Sequence, residues 1–240
     1  MCYHVSVNKT QKELEKRFGA KFSKPNLFQP IYYANGFAAP HLAAITNDDP
    51  YVIQLLTWGL IPHWIKNEDK ALEIRFKTLN SRADTIFSKA SFRQPIRNQR
   101  CLILVDGFFD WRLYKGKKYP YYVKLKNNEA FALAGIWDVW ENKENQKKIK
   151  TFSIITTEAN EYIAKIHNIK KRMPVIFGKK EERTWLENIN DEKIKEMLNP
   201  YEAKEMTAYP VSKLITARGM ERNVPEILKP FEYKELEKIK

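Results

Sequence analysis

Between residues 100 and 159 the chain reads RCLILVDGFFDWRLYKGKKYPYYVKLKNNEAFALAGIWDVWENKENQKKIKTFSIITTEA, and this segment narrows the fold more than any other. Runs rich in β-branched and aromatic residues, at about 101–114, 119–125, 130–140 and 149–157, are separated by KGKK, KNN and the charged ENKENQKK. Branched and ring side chains pack well on a pleated surface, and polar breaks of this size close hairpins. The segment therefore predicts a hairpin meander of four strands, and such a sheet is antiparallel.

The flanks add smaller elements. Residues 2–7 alternate as a short strand, and Thr10 with Glu13 forms a capping box that opens a helix to about Phe18. Short strands are expected around 42–45 and 51–60, and helical stretches on either side of 80–97. Asn160 starts a short helix, RMPVIF at 172–177 reads as a buried strand, and KKEERTWLEN and NDEKIKEML read as surface helices. A last strand at about 206–211 precedes an irregular tail. The composite is an α+β fold with a curved, barrel-like antiparallel β core and peripheral helices. With 43% hydrophobic residues and no linker, residues 1–240 are expected to form a single domain.

Charge and motif content restrict function. There are 42 basic and 29 acidic residues, a net charge of +13, which favours an acidic partner such as nucleic acid, although a lysine-rich soluble surface gives the same total. Only 11 of the basic residues are arginine, and six of these (Arg75, Arg82, Arg93, Arg97, Arg100 and Arg112) fall within 75–112. Arginine forks phosphate bidentately, so a local concentration is the sharper phosphate signal.

No apolar run approaches the roughly 18 residues of a membrane span, and the N-terminal stretch carries no secretion signal, so a cytoplasmic protein without membrane contact is expected. None of the eight glycines forms GxGxxG or a Walker loop, so no nucleotide cofactor is expected. His4, His41, His63 and His167 show no HExxH spacing, the two cysteines no CxxC, and no Gly-x-Ser-x-Gly elbow occurs. No metal is expected, a Cys2–His4 site with a distant third ligand being the weak alternative. In a reducing compartment Cys2 and Cys101 are expected as free thiols.

Cys2 follows the initiator methionine directly. Were Met1 removed, an α-amine and a thiol would sit on adjacent carbons, and such a pair condenses with aldehydes. Asn80 in LNSRADT, Asp110 in VDGFFDWR and His167 in KIHNIKKRMP complete the candidate catalytic set. Each has a structural alternative: Cys2 as a small buried strand residue, Asn80 as a helix cap, Asp110 as a carboxylate paired to an arginine, and His167 as a surface residue at a helix end.

Taken in order, MCYH, WGLIPHW, NSRAD, RCLILVDGFFDW, AGIW, IITTEAN, IHNIKKRMPVIF and YPVS resemble the SRAP family, named for SOS-response-associated peptidase, from Cys2 to about Asn223. The resemblance implies covalent capture of abasic sites in single-stranded DNA, as a thiazolidine on Cys2, after autocatalytic loss of Met1. It implies an active site of Cys2, Asn80, Asp110 and His167, no cofactor, and a monomer whose partner is single-stranded DNA carrying an abasic site. Arg82 and Arg172 match positions expected at phosphates, with Thr156 as a further donor. Pro40, Trp58 and Gly59 match loops around the DNA path, and Trp111 is a further DNA-contact candidate. For Trp58 and Trp111 the alternative is core packing. Two departures stand out. Asp110 replaces the family's usual Glu, and YH replaces Gly-Arg at residues 3 and 4, so a phosphate contact is lost or depends on protonation of His4. Competing functions are an N-terminal-nucleophile amidase using the Cys2 thiolate and a non-catalytic single-strand-binding protein.

Overall fold

The computed structural model describes residues 2–143, 145–217, 219–237 and 239. In chain order its strands are β1 (His4–Val7), β2 (Lys21–Phe22), β3 (Ile31–Asn35), β4 (His41–Thr46), β5 (Asp49–Trp58), β6 (Asn80–Arg82), β7 (Arg100–Val105), β8 (Gly107–Tyr114), β9 (Lys117–Leu125), β10 (Phe131–Glu141), β11 (Lys148–Glu158), β12 (Arg172–Pro174), β13 (Ile176–Phe177) and β14 (Met206–Pro210). Its α-helices are α1 (Gln11–Phe18), α2 (Glu68–Lys77), α3 (Pro95–Asn98), α4 (Glu161–Ile166), α5 (Lys179–Leu186) and α6 (Asp191–Met197).

Helix ends follow local chemistry. Thr10 and Glu13 form the reciprocal capping box of α1, and Gly19 ends that helix in the left-handed region at φ +63°. Asn67, Asn160 and Asn190 cap α2, α4 and α6 by accepting a backbone N–H three residues on.

Five strands close into a barrel. β10 pairs with β7, β7 with β4, β4 with β5 and β10 with β11, all antiparallel, and β5 meets β11 in parallel at Thr57 and Thr151. Ile45, Ile53, Ile103, Leu133 and Phe152 are among the buried residues of these strands. A second sheet has the order β14-β9-β8-β1-β3. One apolar cluster runs from the barrel to Val5, Val7, Phe108 and Val123 of this sheet. Because side chains alternate along a strand, the neighbours Phe109 and Tyr122 fall on the opposite face, where they cluster with Tyr33, Val211, Ile215 and Ile227. The fold is thus α+β with a barrel core and peripheral helices, and among the described residues no helix is long and apolar enough to cross a membrane.

Several local expectations change. The run at 101–114 is two strands, because Asp106 turns back onto the end of β1. Its Oδ1 accepts from Ser6 Oγ at 2.5 Å, and its Oδ2 accepts the N–H groups of Asn8 and Lys9 at 2.5 and 3.1 Å. A Cβ at Gly107 would lie 2.3 Å from the Tyr122 ring, so only glycine allows the chain to continue there. β7 therefore stays in the barrel while β8 joins the second sheet. The meander resolves into two hairpins, β8–β9 and β10–β11. Across KNN the chain changes sheet, β9 taking β14 and β10 taking β7 as further neighbours. Nor is the pairing wholly antiparallel, since β2–β5, β5–β11 and β6–β11 are parallel. RMPVIF divides into β12 and β13, paired to β11 and β10 respectively. The irregular tail is docked: Val211 bridges Pro230, Phe231 N–H donates to the Pro210 carbonyl at 2.8 Å, and Ile227 is fully buried.

Candidate functional site

Strand β1 carries Cys2 to β8. Val5 pairs with Phe108 and Ser6 with Gly107, which lays the start of the chain along β8. Cys2 is 1% exposed and belongs to the main core cluster, and Asp110 on β8 is 4% exposed. Burial, with the Asp110 carboxylate beside it, pushes the Cys2 thiol up to about 12. The thiol is therefore protonated at neutral pH. Burial also raises Asp110 above the ordinary carboxylate range, opposed in part by His167 and by the Trp111 N–H that donates to its Oδ1 at 2.8 Å. A carboxylate in that state is a better proton acceptor than an exposed one. Cys2 and Cys101 are both free thiols, and both are buried. Met1, whose removal the sequence reading requires, lies outside the described residues.

His167 arrives from the end of α4. Its N–H donates to the Ile163 carbonyl at 2.8 Å, closing the helix, and its ring Nδ1 sits 3.8 Å from Asp110 Oδ2. Nδ1 also meets the Arg172 backbone, 2.8 Å from its carbonyl oxygen and 3.1 Å from its amide nitrogen, and the ring tautomer decides which of the two it bonds. The helix end is tied to β8 by Asn168, which accepts from Leu113 N–H at 3.0 Å and donates to the Leu113 carbonyl at 2.8 Å. This amide clamp sets the spacing between His167 and Asp110. Sequence reasoning missed it, although Asn168 directly follows the histidine in IHN.

Asn80 lies on a different strand, and among the described residues no hydrogen bond of its side chain joins it to Cys2, Asp110 or His167. β6 runs parallel to β11, pairing Asn80 with Ile154 and Arg82 with Thr156. Neither Oδ1 nor Nδ2 of Asn80 has a hydrogen-bond partner although both are buried. Asn80 is therefore a strand residue and not a helix cap. Unsatisfied buried amides are rare in folded proteins, because each loses its hydration without replacement.

Beyond these two strands lies an open recess of about 590 Å³ lined by Arg82, Glu158, Ala159, Lys170, Lys171 and Arg172, with four cations facing one carboxylate. Its arginines are already engaged. Arg82 is exposed and forks Asp84, with Nε and Nη2 at 3.0 and 2.5 Å from the two oxygens. Arg172 Nη2 donates to Thr156 Oγ1 at 3.1 Å and its Nε is buried without a partner. Thr156 is fully buried and donates to the Ser81 carbonyl at 3.3 Å. It orients Arg172 rather than facing solvent.

The residues expected around a DNA strand differ in their burial. Trp58 is 0% exposed, stacks on Phe152 at 6.0 Å between centroids and donates its indole N–H to the Leu79 carbonyl at 2.9 Å. Such a ring has no face to offer a base, so Trp58 is a core residue here. Gly59 is buried at φ +107°, where a Cβ would lie 2.2 Å from the Arg75 side chain. Pro40 is half-buried and its carbonyl accepts from Trp58 N–H at 3.0 Å. Trp111 is half-buried and meets His4 edge-on at 4.9 Å.

A family model described as SOS response associated peptidase (SRAP) matches residues 1–218. The chain is 38% identical over 194 residues to the abasic site processing protein YoaM of Bacillus subtilis, covering 79% of this chain and 81% of that one. It is 29% identical over 214 residues to the abasic site processing protein HMCES of Gallus gallus, covering 80% of this chain and 61% of the relative. A crystal structure of a protein from Bacteroides thetaiotaomicron superposes with a TM-score of 0.90 at 35% identity, covering 96% of this chain and all of that one.

Proposed function

The chain belongs to the SOS response associated peptidase family, and from that premise we propose that it processes abasic sites by capturing them in single-stranded DNA as a covalent adduct on Cys2. The observation that carries the reading is the juxtaposition of Cys2, Asp110 and His167 at the junction of β1, β8 and α4.

The chemistry follows from a free amine and thiol on adjacent carbons. After loss of Met1 the α-amine, with an unperturbed pKa of roughly 8, is neutral often enough near pH 7 to attack the aldehyde of a ring-opened abasic deoxyribose. Asp110 accepts the proton that the α-ammonium must lose. His167 relays the protons: it gives one to the sugar ring oxygen as the C1′–O4′ bond opens, takes the one that the C1′ hydroxyl loses as it becomes the aldehyde, passes that one to the carbinolamine hydroxyl that leaves as water, and recovers the proton of the iminium nitrogen to leave the imine. The Cys2 sulfur adds to the imine carbon, its proton passes to the nitrogen, and a five-membered thiazolidine closes. Ring closure is intramolecular and gains the high effective concentration of tethered groups. The unpartnered Asn80 amide is suited to hold a sugar oxygen without itself titrating.

In the amidase alternative the Cys2 thiolate attacks an amide with the α-amine as base, whereas in amine-first capture the sulfur closes the ring only after the imine has formed. Capture from a single strand avoids the few kcal/mol needed to unstack a lesion from duplex.

Incubation with a single-stranded oligonucleotide carrying one abasic site tests the reading. A heat-stable, denaturant-resistant adduct is expected from the wild type and none from Cys2→Ala. An undiminished adduct with Cys2→Ala would eliminate it. Turnover of an acyl-amide without DNA would favour the amidase, and reversible binding alone would favour a single-strand-binding protein.

A further inference from the structure

Strand β1 carries a second group of side chains, on the face away from the barrel. His4 stacks on Tyr33 at 5.3 Å and 10° between planes, and the Tyr33 hydroxyl is 2.8 Å from His4 Nδ1. Burial, aided by the nearby Arg222 charge, pushes His4 down to about 4. At neutral pH His4 is uncharged and cannot pair with a phosphate.

The cation at this edge is Arg222. Its guanidinium carbon lies 5.6 Å from the centre of the Tyr33 ring. The segment is held from both sides. Asn223 Oδ1 accepts the N–H groups of Tyr32 and Tyr33 at 2.8 and 3.3 Å, and Ile227 is fully buried against the outer face of the sheet. Arg222 is half-buried, and among the described residues no carboxylate lies within ion-pair distance of it. Arg17, Arg82 and Arg97 pair with Glu182, Asp84 and Asp191, whereas among the described residues Arg112 and Arg183, like Arg222, lie over a tyrosine ring without a carboxylate partner. What sets Arg222 apart is its place: the ring beneath its guanidinium stacks on His4, two residues along the chain from Cys2.

We infer that Arg222 is a phosphate-binding residue for the DNA strand, making from the C-terminal segment the anion contact that position 4 cannot make in this chain. The inference rests on the function proposed above. It goes beyond it because Arg222 lies outside residues 1–218, where the family model matches. Guanidinium is the group suited to this place, since it tolerates stacking on an aromatic face while its N–H donors fork an oxyanion.

The test is fluorescence anisotropy of an undamaged single-stranded oligonucleotide across a salt series, beside single-turnover capture of an abasic one at saturating DNA. Each phosphate contact to a single strand contributes about 0.7 to the slope of log affinity against log salt. Arg222→Gln and Arg222→Ala are expected to lower affinity roughly fivefold at 0.1 M salt and to flatten the slope by about 0.7. Arg222→Lys should keep the slope, and His4→Arg in the Arg222→Gln background should restore it. Capture at saturating DNA should keep its wild-type rate in all of these variants. Wild-type affinity and slope in Arg222→Gln would overturn the inference. So would an equal loss in Arg222→Lys, which keeps the charge. The two readings fail separately: absence of any denaturant-resistant adduct from the wild type overturns the proposed function, while the anisotropy slope reports on Arg222 alone.

Discussion

Replacing Asp110 by Glu adds one methylene to the carboxylate that sits between Cys2 and His167. Its Oδ2 is 3.8 Å from His167 Nδ1, too far for a hydrogen bond, and an added carbon–carbon bond extends the reach by about 1.5 Å at most. That suffices to bring the oxygen to about 2.8 Å, where the carboxylate competes with the Arg172 carbonyl for a proton on Nδ1. At an effective dielectric of roughly 20, shortening a charged pair by 1 Å at this range is worth about 1.5 kcal/mol, or up to roughly tenfold in rate if the pair forms fully in the transition state. Against this stands overpacking, since Asp110 is 4% exposed and an extra methylene in a filled site costs about 1–3 kcal/mol of stability. Asp110→Glu should therefore lower the melting temperature and leave crosslinking unchanged or up to tenfold faster. Single-turnover capture of an abasic oligonucleotide, read on denaturing gels with a parallel thermal melt, measures both. A loss of tenfold or more in a folded Asp110→Glu protein would refute the reasoning. It would mean that the shorter acid acts at its present distance and that the neighbouring residues have been arranged for it.

Asp110→Asn separates catalysis from stability. The carboxyl is held above its usual range, so its ionised form weakens the fold at neutral pH; that penalty is absent below about 3.8, appears as pH rises through it and is complete above the folded-state value. The variant should melt roughly 2–4 °C higher at pH 7.5 for each kcal/mol relieved, lose that advantage near pH 3, and crosslink about 100-fold more slowly. An unchanged melting temperature at both pH values would contradict it. Asn80→Ala removes an amide with no partner, so stability should stay within about 1 kcal/mol while capture falls roughly 100-fold; a normal rate would show that Asn80 is structural. Trp58→Ala should cost about 3–5 kcal/mol in a denaturant titration, whereas Trp111→Ala should melt nearer to wild type and weaken oligonucleotide binding; the reverse pattern would return Trp58 to the DNA surface. Asn168→Ala should slow capture by loosening His167 relative to Asp110, with the two bonds to Leu113 contributing about 1 kcal/mol each; undiminished capture would place the clamp outside the site.

The features that were legible in the sequence are local ones. The Thr10–Glu13 box, the Asn160 cap and the KGKK and ENKENQKK hairpins act over a few residues, and each is present. What escaped depends on residues far apart. The break at Asp106 is caused by Ser6, Asn8 and Lys9, about 100 positions away, and KNN carries no mark that the strands on its two sides enter different sheets. Barrel closure rests on the parallel meeting of β5 and β11, which no periodicity in either strand reveals.

The candidate site divides in the same way. Cys2, Asp110 and His167 were identified by chemical type, but the 3.8 Å between acid and imidazole is a product of the α4–β8 junction. Aromaticity alone does not distinguish a stacking tryptophan from a core one, and Trp58 is of the second kind. The engagement of Arg82 by Asp84 was within reach, since the two lie two residues apart in SRAD, whereas Arg222 meets Tyr33 only because the tail folds back over the sheet.

Mass spectrometry of the peptide left after protease and nuclease digestion of the adduct tests the central claim most directly. Condensation forms water, so the account predicts an N-terminal peptide that begins at Cys2, lacks Met1 and carries the mass of the sugar remnant less one water, with no free thiol on that cysteine. A sugar remnant on a lysine, or a captured peptide that still begins with Met1, would contradict it.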